Sequence, residues 1–526
     1  MPEVSWSFPY ASQRMPVMAR NVVATSQPLA ALAGTRMLLK GGNAVDAALA
    51  TAMALPVVEP TMNGIGSDAF CILWDGEQIH GLNASGRSPK AWSPEMFPKV
   101  GVMPQRGWDA VTVPGCVSAW VALSERFGKL PFGELFEPAV HYARYGFSVS
   151  PLTGYSWANA VSNYNDMPDW MAVFAPNGRA PKIGEKFTNE AQARTLERIA
   201  ETKGEAFYRG DLAEKIAAHA KNTGGAMTEE DLAEHQLDWV GTITTDFKRH
   251  TLHEIPPNGQ GIAALMTLGI LEHMDLTQYP VDSADSYHLQ IEAMKLAYVD
   301  THRHVSDPST RDIDHQQLLD ADYLATRAKL IDPKVAQAPT FGIPSSDTVY
   351  LTAADENGMM VSFIQSNYRG FGSGIVVPDT GISMQNRGAG FVLKEGHPNR
   401  VDGGKRPYHT IIPAFATKDG QPIMSFGVMG GHMQPQGHVQ MMVRIFAYGQ
   451  NPQAACDAPR WQVLGGLNVG IEPGVDANVL DDLRSRGHNI EIPPEIEYGG
   501  GQLIYRLEDG YCAASDPRKD GLAVGY

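Results

Sequence analysis

The fold of this chain is indicated most clearly by Asp347-Thr348-Val349-Tyr350-Leu351-Thr352-Ala353-Ala354-Asp355-Glu356-Asn357-Gly358. Its first half predicts a strand, because β-branched and aromatic residues fit a pleated, half-buried backbone. Asp-Glu-Asn-Gly is typical of a hairpin turn, and the residues from Met359 to Ser366 predict the second strand. The preceding residues, Gln337 to Asp347, contain two prolines, a glycine and two serines and predict a loop. Thr348 therefore opens a strand directly after a loop.

The position of Thr348 matters if the chain is cut just before it. The cut would give Thr348 a free α-amine beside its own hydroxyl. Such an amine has a pKa of about 7.7–8.0 and can accept a proton near neutral pH. A threonine that carries its own terminal amine is a known pair of nucleophile and base. An internal threonine at the start of a strand is usually only a strand residue, so the rest of the chain must decide between the two interpretations.

Composition excludes several classes of protein. The 526 residues carry 42 basic and 58 acidic side chains, a net charge of −16, which argues against a nucleic-acid partner. No stretch approaches the roughly 18 apolar residues of a membrane span, and the N-terminus lacks the pattern of a signal peptide. The sequence thus predicts a soluble, cytoplasmic protein without a membrane partner, with export still open if a leader was removed. The widely spaced cysteines, which predict buried free thiols, are Cys71, Cys116, Cys456 and Cys512.

Two short motifs are weak signals for a cofactor or a metal. Residues 64–69 match a dinucleotide fingerprint, but a strand (Phe70 to Trp74) follows them instead of a helix, so the glycines predict close backbone approach. His302 and His304 lie at the end of a helix predicted from Ala284 to Val299, where a histidine has a simple electrostatic use. A metal site would need a third convergent ligand. We expect neither a metal nor an organic cofactor.

Hydrophobic periodicity and punctuation give a coarse map of the other elements. The chain from about 140 to 340 is predicted to be mostly helical, with loops rich in tryptophan and proline at 151–180, and it is strand-rich from Val349 onward. The N-terminal predictions are a strand from Val22 to Thr25, a helix from Pro28 to Lys40, and a helix from Ala44 to Leu55 capped by Asn43.

Several of these stretches resemble the γ-glutamyltranspeptidase family. DTVYLTAADENG (347–358), VSFIQS (361–366) and GFGSGIVV (370–377) are similar to the start of its small subunit, and SQPLA (26–30), GGNAVDAA (41–48) and VVEP (57–60) to the start of its large subunit. Members are N-terminal-nucleophile hydrolases made as one precursor. The resemblance implies an α+β fold, a four-layer αββα sandwich, in which 1–347 and 348–526 form one interlocked domain after a cut at Asp347–Thr348.

The resemblance also implies the catalytic residues. Thr348 matches the family's nucleophile, and Gly430-Gly431 matches the turn whose backbone N–H groups form the oxyanion hole. A strand predicted to end near Gly427 and a helix predicted to begin near Pro435 flank that turn. Thr352 and Ser366 match positions that steady the nucleophile.

The substrate pocket departs from the family pattern. The family arginine that holds the substrate α-carboxylate matches Ser85, with Arg87 two residues later. The acid that binds the α-amine matches Gly390, and a nearby glutamine matches Arg387. An acid is therefore lost and an arginine gained, which favours an acyl group that carries a carboxylate and no α-amine, such as glutaryl or an oxamate-like group. The candidate substrate-binding residues are Arg87, Tyr368, Arg387, His409 and Thr410.

These features predict an amidohydrolase or acyltransferase that works through an acyl-Thr348 intermediate, in a branch similar to cephalosporin acylases and oxamate amidohydrolases. The enzyme alternative is true γ-glutamyl transfer from glutathione-like donors. The alternative from another class is an unprocessed, inactive binding protein. The expected partners are a small-molecule amide and the two chains of one precursor, and a homodimer of processed heterodimers stays open.

Overall fold

The structure is a computed structural model that describes residues 14–98, 101–339, 347–492 and 498–526. Its strands, numbered in chain order, are β1 Val17–Ala19, β2 Val22–Thr25, β3 Asp68–Trp74, β4 Ile79–Asn83, β5 Phe147–Ser148, β6 Lys186–Phe187, β7 Asp238–Trp239, β8 Ile243–Phe247, β9 His250–Glu254, β10 Asp347–Ala354, β11 Met360–Tyr368, β12 Val376–Val377, β13 Ile382–Ser383, β14 Ala414–Lys418, β15 Gln421–Val428, β16 Trp461–Gly465, β17 Asn468–Ile471, β18 Asn489–Glu491, β19 Gly501–Leu507, β20 Gly510–Ser515 and β21 Leu522–Gly525.

The α-helices follow the same convention. They are α1 Pro28–Leu39, α2 Ala44–Val58, α3 Cys116–Phe127, α4 Glu137–Tyr145, α5 Pro151–Tyr164, α6 Pro168–Phe174, α7 Glu190–Thr202, α8 Glu205–Arg209, α9 Asp211–Asn222, α10 Glu229–Ala233, α11 Ile262–Glu272, α12 Ala284–His304, α13 His315–Leu318, α14 Ala321–Ala328, α15 Met433–Met442, α16 Pro452–Asp457 and α17 Ala477–Ser485.

Two seven-stranded sheets form the centre of the fold. Sheet I has the strand order β21-β2-β10-β11-β3-β4-β7, and sheet II has the order β1-β20-β19-β15-β14-β9-β8. Neighbouring strands are antiparallel throughout both sheets. Each sheet contains strands from before and after Thr348. The two parts of the chain therefore share both sheets.

The buried apolar residues divide into three layers around these sheets. One cluster, with Tyr350 and Ile364 of sheet I and Phe415 and Ile504 of sheet II, fills the space between the sheets. A second lies between sheet I and helices that include α1, α2 and α3, and a third between sheet II and helices that include α11, α12 and α15. Helices thus cover the outer face of each sheet. The predicted four-layer αββα sandwich is confirmed.

The hairpin predicted from the opening stretch lies in the middle of sheet I. β10 pairs with β11 on one side and with β2 on the other, both antiparallel. Residues 340–346 of the predicted loop lie outside the described residues, and Asp347 already belongs to β10. The order of the strands therefore places Thr348 at the beginning of a central strand.

Helix α2 continues through a proline where the sequence analysis predicted it to stop. Asn43 caps the helix as predicted, but the helix runs to Val58 with Pro56 inside it. Proline has no N–H to donate to the carbonyl four residues earlier. That carbonyl, on Ala52, accepts a hydrogen bond from the Gln365 Nε2 instead, at 2.9 Å. A side chain of β11 thus supplies the donor that the proline removes.

Two other sequence predictions were wrong or too short. The residues predicted as loops at 151–180 form α5 and α6, each with a proline in the first turn, where a missing N–H costs nothing. Helix α12 extends to His304, so His302 and His304 lie in its last turn.

The glycines of residues 64–69 do meet a crowded backbone, since a Cβ on Gly66 would lie 2.4 Å from the Ser383 carbonyl oxygen.

The cysteines agree with the prediction from composition. All four cysteines are buried free thiols. In the part of the chain that the structure describes, no helix has the length and apolar character needed to cross a membrane.

We predict that Gln365→Met will lower the free energy of unfolding by about 2 kcal/mol or more. Gln365 also donates to Asn63 Oδ1 at 2.6 Å and accepts from the Trp120 indole at 3.2 Å, so the change leaves three buried groups unpaired. Each unpaired group typically costs about 1–3 kcal/mol. Thermal and denaturant unfolding would measure the loss. Gln462→Met is the matched control, because the buried Gln462 Oε1 has no described partner, and an equal loss there would contradict the argument.

Candidate active site

Thr348 is buried at the end of the space between the sheets. Its side chain is 1% exposed, and its Oγ1 donates a hydrogen bond to Ser366 Oγ at 3.2 Å. Ser366 Oγ also accepts the Tyr368 N–H at 2.8 Å, which fixes the hydroxyl in place. The structure therefore brings together Thr348 and Ser366, two of the residues predicted from the sequence.

Gln434, which the sequence analysis missed, also contacts Thr348. The Gln434 Nε2 donates to Thr348 Oγ1 at 3.2 Å, and its Oε1 accepts the Ile412 N–H at 2.9 Å. Its own N–H donates to the Gly431 carbonyl at 3.1 Å. Gln434 thus contacts the threonine hydroxyl through its side chain and the glycine turn through its backbone N–H.

Gly430 and Gly431 form the turn between β15 and α15. Their φ angles are +113° and +57°, in the region that favours glycine. No described residue accepts a hydrogen bond from the N–H of either glycine. Backbone N–H groups held in this way can stabilise negative charge that develops on a nearby oxygen. The turn thus has the chemistry required of an oxyanion hole.

Thr352 lies elsewhere on the same strand. Four residues separate it from Thr348, which corresponds to roughly 13 Å along a strand. The Thr352 hydroxyl exchanges a hydrogen bond with Ser425 Oγ of β15 at 2.6 Å. It therefore joins the two sheets, and any effect on Thr348 passes through the backbone of β10.

Arg387 is a buried guanidinium with unused donors. Its side chain is 1% exposed, its Nη1 donates to Thr410 Oγ1 at 2.6 Å, and its Cζ lies 4.7 Å from the centre of the Tyr368 ring. Its Nε and Nη2 have no acceptor among the described residues. Burial lowers the pKa of Arg387 to about 10, so the group is still charged at neutral pH. Nε and Nη2 lie along one edge of the guanidinium, the edge that can bind a carboxylate with two hydrogen bonds.

Asp68 is the buried acid that balances Arg387, and the sequence analysis gave it no role. One carboxylate oxygen contacts His409 Nε2 at 3.0 Å, and the other accepts the N–H groups of Gly86 at 3.2 Å and Gly115 at 3.1 Å. Burial raises the pKa of Asp68 to about 7, although the charge of Arg387 opposes this shift. The same burial, with the nearby arginines, holds the pKa of His409 well below its usual range, so the imidazole is neutral.

Arg87, in contrast to Arg387, is already paired with an acid. Its Nη1 pairs with Asp307 Oδ2 at 2.9 Å and donates to the Gly404 carbonyl at 3.1 Å, while almost half of its side chain is exposed. Ser85, which matches the family arginine, is fully buried and bonds Asn83 Oδ1 at 2.7 Å. Arg87 therefore has the contacts of a structural ion pair.

Gly390 leaves no room for the acid found in the family. A Cβ at this position would lie 2.5 Å from the Tyr408 carbonyl oxygen. A backbone atom cannot move away as a flexible side chain does, so any side chain at residue 390 requires the loop to shift. The difference from the family therefore extends to the backbone around the pocket.

The histidines singled out in the sequence have separate, structural surroundings. The His302 ring stacks on Tyr408 at 5.4 Å, and Tyr408 stacks in turn on His432 at 5.7 Å. His304 Nδ1 contacts Asp312 Oδ1 at 3.0 Å. The His302–Tyr408–His432 stack lies beside the glycine turn, since His432 follows Gly431 directly.

A group of two histidines and a glutamate has the composition of a metal site. The ligand atoms of His288, Glu292 and His488 lie within 4.8 Å of one another. The Lys295 ammonium contacts Glu292 Oε1 at 2.8 Å and His488 Nδ1 at 3.5 Å, and His488 Nε2 contacts His288 Nδ1 at 2.9 Å. Lys295 thus supplies the positive charge in this group. The hydrogen-bond donors and acceptors of the four side chains pair with one another.

An αββα sandwich of two antiparallel sheets between helical layers, with a threonine at the start of a central strand, is the fold of the N-terminal-nucleophile hydrolases. The family model described as Gamma-glutamyltranspeptidase matches residues 30–526, and the chain belongs to that family. Its members among the relatives below are hydrolases, and this chain is an enzyme of the same class.

Two relatives and one solved structure show where in the family the chain lies. It is 37% identical to the glutathione hydrolase-like YwrD proenzyme of Bacillus subtilis, over 97% of this chain and 100% of that protein. It is 33% identical to the oxamate amidohydrolase proenzyme of Klebsiella pneumoniae, over 97% of this chain and 99% of the relative. The crystal structure of cephalosporin acylase from Bacillus halodurans superposes with a TM-score of 0.96 at 46% identity, and the match covers 100% of this chain and 99% of that one.

Proposed function

We propose that this enzyme cuts its own Asp347–Thr348 bond and then hydrolyses an amide through an acyl-Thr348 intermediate. The observation that carries the proposal is the Thr348 hydroxyl, which is buried between Ser366 and Gln434. Gln434 also contacts the glycine turn, whose N–H groups have no acceptor among the described residues. The names of both relatives, which describe proenzymes, support the cut. The cut would yield a large chain, 1–347, and a small chain, 348–526.

The cut supplies the base that the uncut chain lacks. The new α-amine of Thr348 takes the proton from its own Oγ1, and the oxygen attacks the acyl carbon of the substrate. The N–H groups of Gly430 and Gly431 stabilise the resulting oxyanion. When the C–N bond breaks, the leaving amine takes the proton from the α-ammonium. Water then attacks the acyl-threonine ester, gives its proton to the amine, and Oγ1 leaves and recovers that proton.

The acyl group that fits best carries a carboxylate in place of a γ-glutamyl α-amine. The open donors of Arg387 support this choice, because a substrate carboxylate would pair with a guanidinium that is otherwise incompletely bonded. An ammonium would meet the same positive charge. The carboxylate of Asp68, the acid close to Arg387, already accepts bonds from His409 and two backbone N–H groups. Glutaryl and oxamate-like groups meet these requirements.

True γ-glutamyl transfer is the second candidate, favoured by the name of the YwrD relative, which is described as glutathione hydrolase-like. An inactive binding protein is the third, and it requires an intact Asp347–Thr348 bond. The experiments below separate these three.

The first prediction is that freshly folded enzyme consists of two chains. A denaturing gel should resolve them, and N-terminal sequencing of the smaller should begin Thr-Val-Tyr-Leu. Thr348→Ala should stay whole, because the hydroxyl that attacks the preceding carbonyl is missing. A single uncut wild-type chain would favour the binding protein.

The second prediction is that glutaryl amides are hydrolysed faster than γ-glutamyl amides with the same leaving group. Loss of a hydrogen bond to a charged group costs about 1.5–3 kcal/mol, so kcat/KM should differ by roughly tenfold to a hundredfold. Arg387→Gln should reduce that ratio.

Arg87→Gln is the matched control for the second prediction, because it removes an arginine that pairs with Asp307 instead. Its ratio of glutaryl to γ-glutamyl turnover should equal that of the wild type. A wild-type preference of tenfold or more for the γ-glutamyl substrate would contradict the preference for a carboxylate-bearing acyl group. It would favour true γ-glutamyl transfer. Gly390→Asp would restore the family acid, but it cannot serve as the reverse test, because its side chain would collide with the Tyr408 carbonyl.

The third prediction concerns pH and Asp68. The acid is neutral below its pKa of about 7 and negative above it, so a substrate carboxylate at Arg387 is repelled more at high pH. The KM of a glutaryl amide should therefore rise as pH increases through 7. If the bound carboxylate raises the pKa of Asp68 by one unit, the KM should rise by up to about tenfold. Asp68→Asn should remove the rise. A butyryl amide serves as the uncharged control, and an equal rise with butyryl would contradict the role of Asp68.

A further inference from the structure

The orientation of the Gln434 amide is fixed by its neighbours. Gln434 is fully buried in the first turn of α15, and its Oε1 accepts the Ile412 N–H at 2.9 Å. A backbone N–H can only donate, so the end of the amide that faces Ile412 must be the oxygen. The other end, at 3.2 Å from Thr348 Oγ1, is therefore the NH₂ group, which can only donate.

This orientation determines where the Thr348 hydroxyl proton points. Because Gln434 donates to Oγ1, the hydroxyl must direct its own hydrogen to another acceptor, and Ser366 Oγ at 3.2 Å is in position. Gln434 thus contacts the atom that becomes the nucleophile. Its N–H bond is directed at that atom before any charge develops there.

We propose that Gln434 is a catalytic residue that stabilises Thr348 Oγ1 while that oxygen is without its proton. The inference rests on the proposed role of Thr348 as the nucleophile. When the α-amine removes the proton, Oγ1 gains negative charge, and the bond from Nε2 becomes charge-assisted, roughly twice as strong as a neutral one. The Oγ1–carbon bond then forms and the amide C–N bond breaks. The same donor acts again when Oγ1 leaves the acyl carbon during deacylation.

Self-cleavage uses the same oxygen. There Oγ1 attacks the Asp347 carbonyl carbon, and its proton passes to the Thr348 nitrogen as the peptide C–N bond breaks. Water then hydrolyses the resulting ester between Asp347 and Thr348, which gives a free Asp347 carboxylate and returns a proton to Oγ1. Gln434 is in place for this step too, since its contact with Oγ1 is already made in the uncut chain. Both self-cleavage and substrate turnover should therefore slow when the donor is removed.

The test replaces Gln434 with methionine, which is similar in size and has no N–H. We expect kcat to fall roughly tenfold to a hundredfold, as for the loss of one hydrogen bond to a charged group. KM should stay within about twofold, because Gln434 contacts Oγ1 and not the acyl group. The rate of self-cleavage, followed by gel after rapid refolding, should fall alongside kcat.

Two further variants keep the test decisive. Gln434→Glu retains an oxygen for the Ile412 N–H, but its carboxylate cannot donate to Oγ1 once it is ionised. Burial raises the pKa of such a carboxyl, so kcat is measured at a pH above that pKa, where it should fall as with methionine. Gln440→Met is the matched control. Gln440 is buried in the same helix and bonds the backbone of Trp461 at 2.9 and 3.2 Å, so its loss should lower the thermal midpoint and leave kcat per folded molecule unchanged.

The outcomes separate this inference from the proposed function. If Gln434→Glu folds and keeps a kcat within twofold of wild type, Gln434 is not catalytic, while an inactive Thr348→Ala would still support the nucleophile. If Gln434→Met and Gln440→Met lose activity equally per folded molecule, the effect is structural and the inference is overturned. If an uncut Thr348→Ala chain turns over substrate, the proposed function itself fails.

Discussion

The active site depends on the contact between the two sheets, because its parts belong to different ones. Thr348 starts a strand of sheet I, whereas Gly430, Gly431 and Gln434 follow a strand of sheet II. The space between the sheets is closely filled beside the site. Thr352 bonds Ser425 across it at 2.6 Å, and a Cβ on Gly427 would lie 2.5 Å from the Tyr350 ring. A shift of one sheet against the other would therefore separate Thr348, the proposed nucleophile, from Gln434 and the glycine turn, and tight packing in the core sets the geometry of the site.

A buried positive charge is the second constraint, and the proposed specificity rests on it. An arginine out of water needs compensation, and in the free enzyme Arg387 has one hydrogen bond to Thr410, an aromatic face and the nearby charge of Asp68. Asp68 cannot pair with it directly, since its oxygens bond His409 and two backbone N–H groups. The pocket is thus incompletely neutralised, which is the electrostatic condition that favours an anionic ligand.

Local signals in the sequence predicted many of the elements, although they missed α5 and α6, and distant contacts decided what local signals could not. The hairpin after Thr348 and the Asn43 cap depend on neighbouring residues, so both were predictable. The end of α2 depends on Gln365, more than 300 residues away, which replaces the donor that Pro56 lacks. Gln434 and Asp68 acquire their roles in the same way, through Thr348 and His409, and nothing in their own surroundings marks them. Resemblance to a family indicated the nucleophile and the glycine turn, but residues particular to this branch needed the structure.

The sharing of both sheets by residues from each side of Thr348 fixes the order of events in the proposed maturation. β10 pairs with β2 through Leu351 and Thr25, and Asp520 bonds the N–H groups of Leu152 and Thr153 at the start of α5. Asp68 comes from the first part of the chain, and Thr348 and Gln434 from the second. The site therefore exists only after the whole chain has folded, and self-cleavage has to follow folding. The same pairings hold the two products together, so the cut changes the chemistry of Thr348, which gains an amine, and leaves the architecture intact.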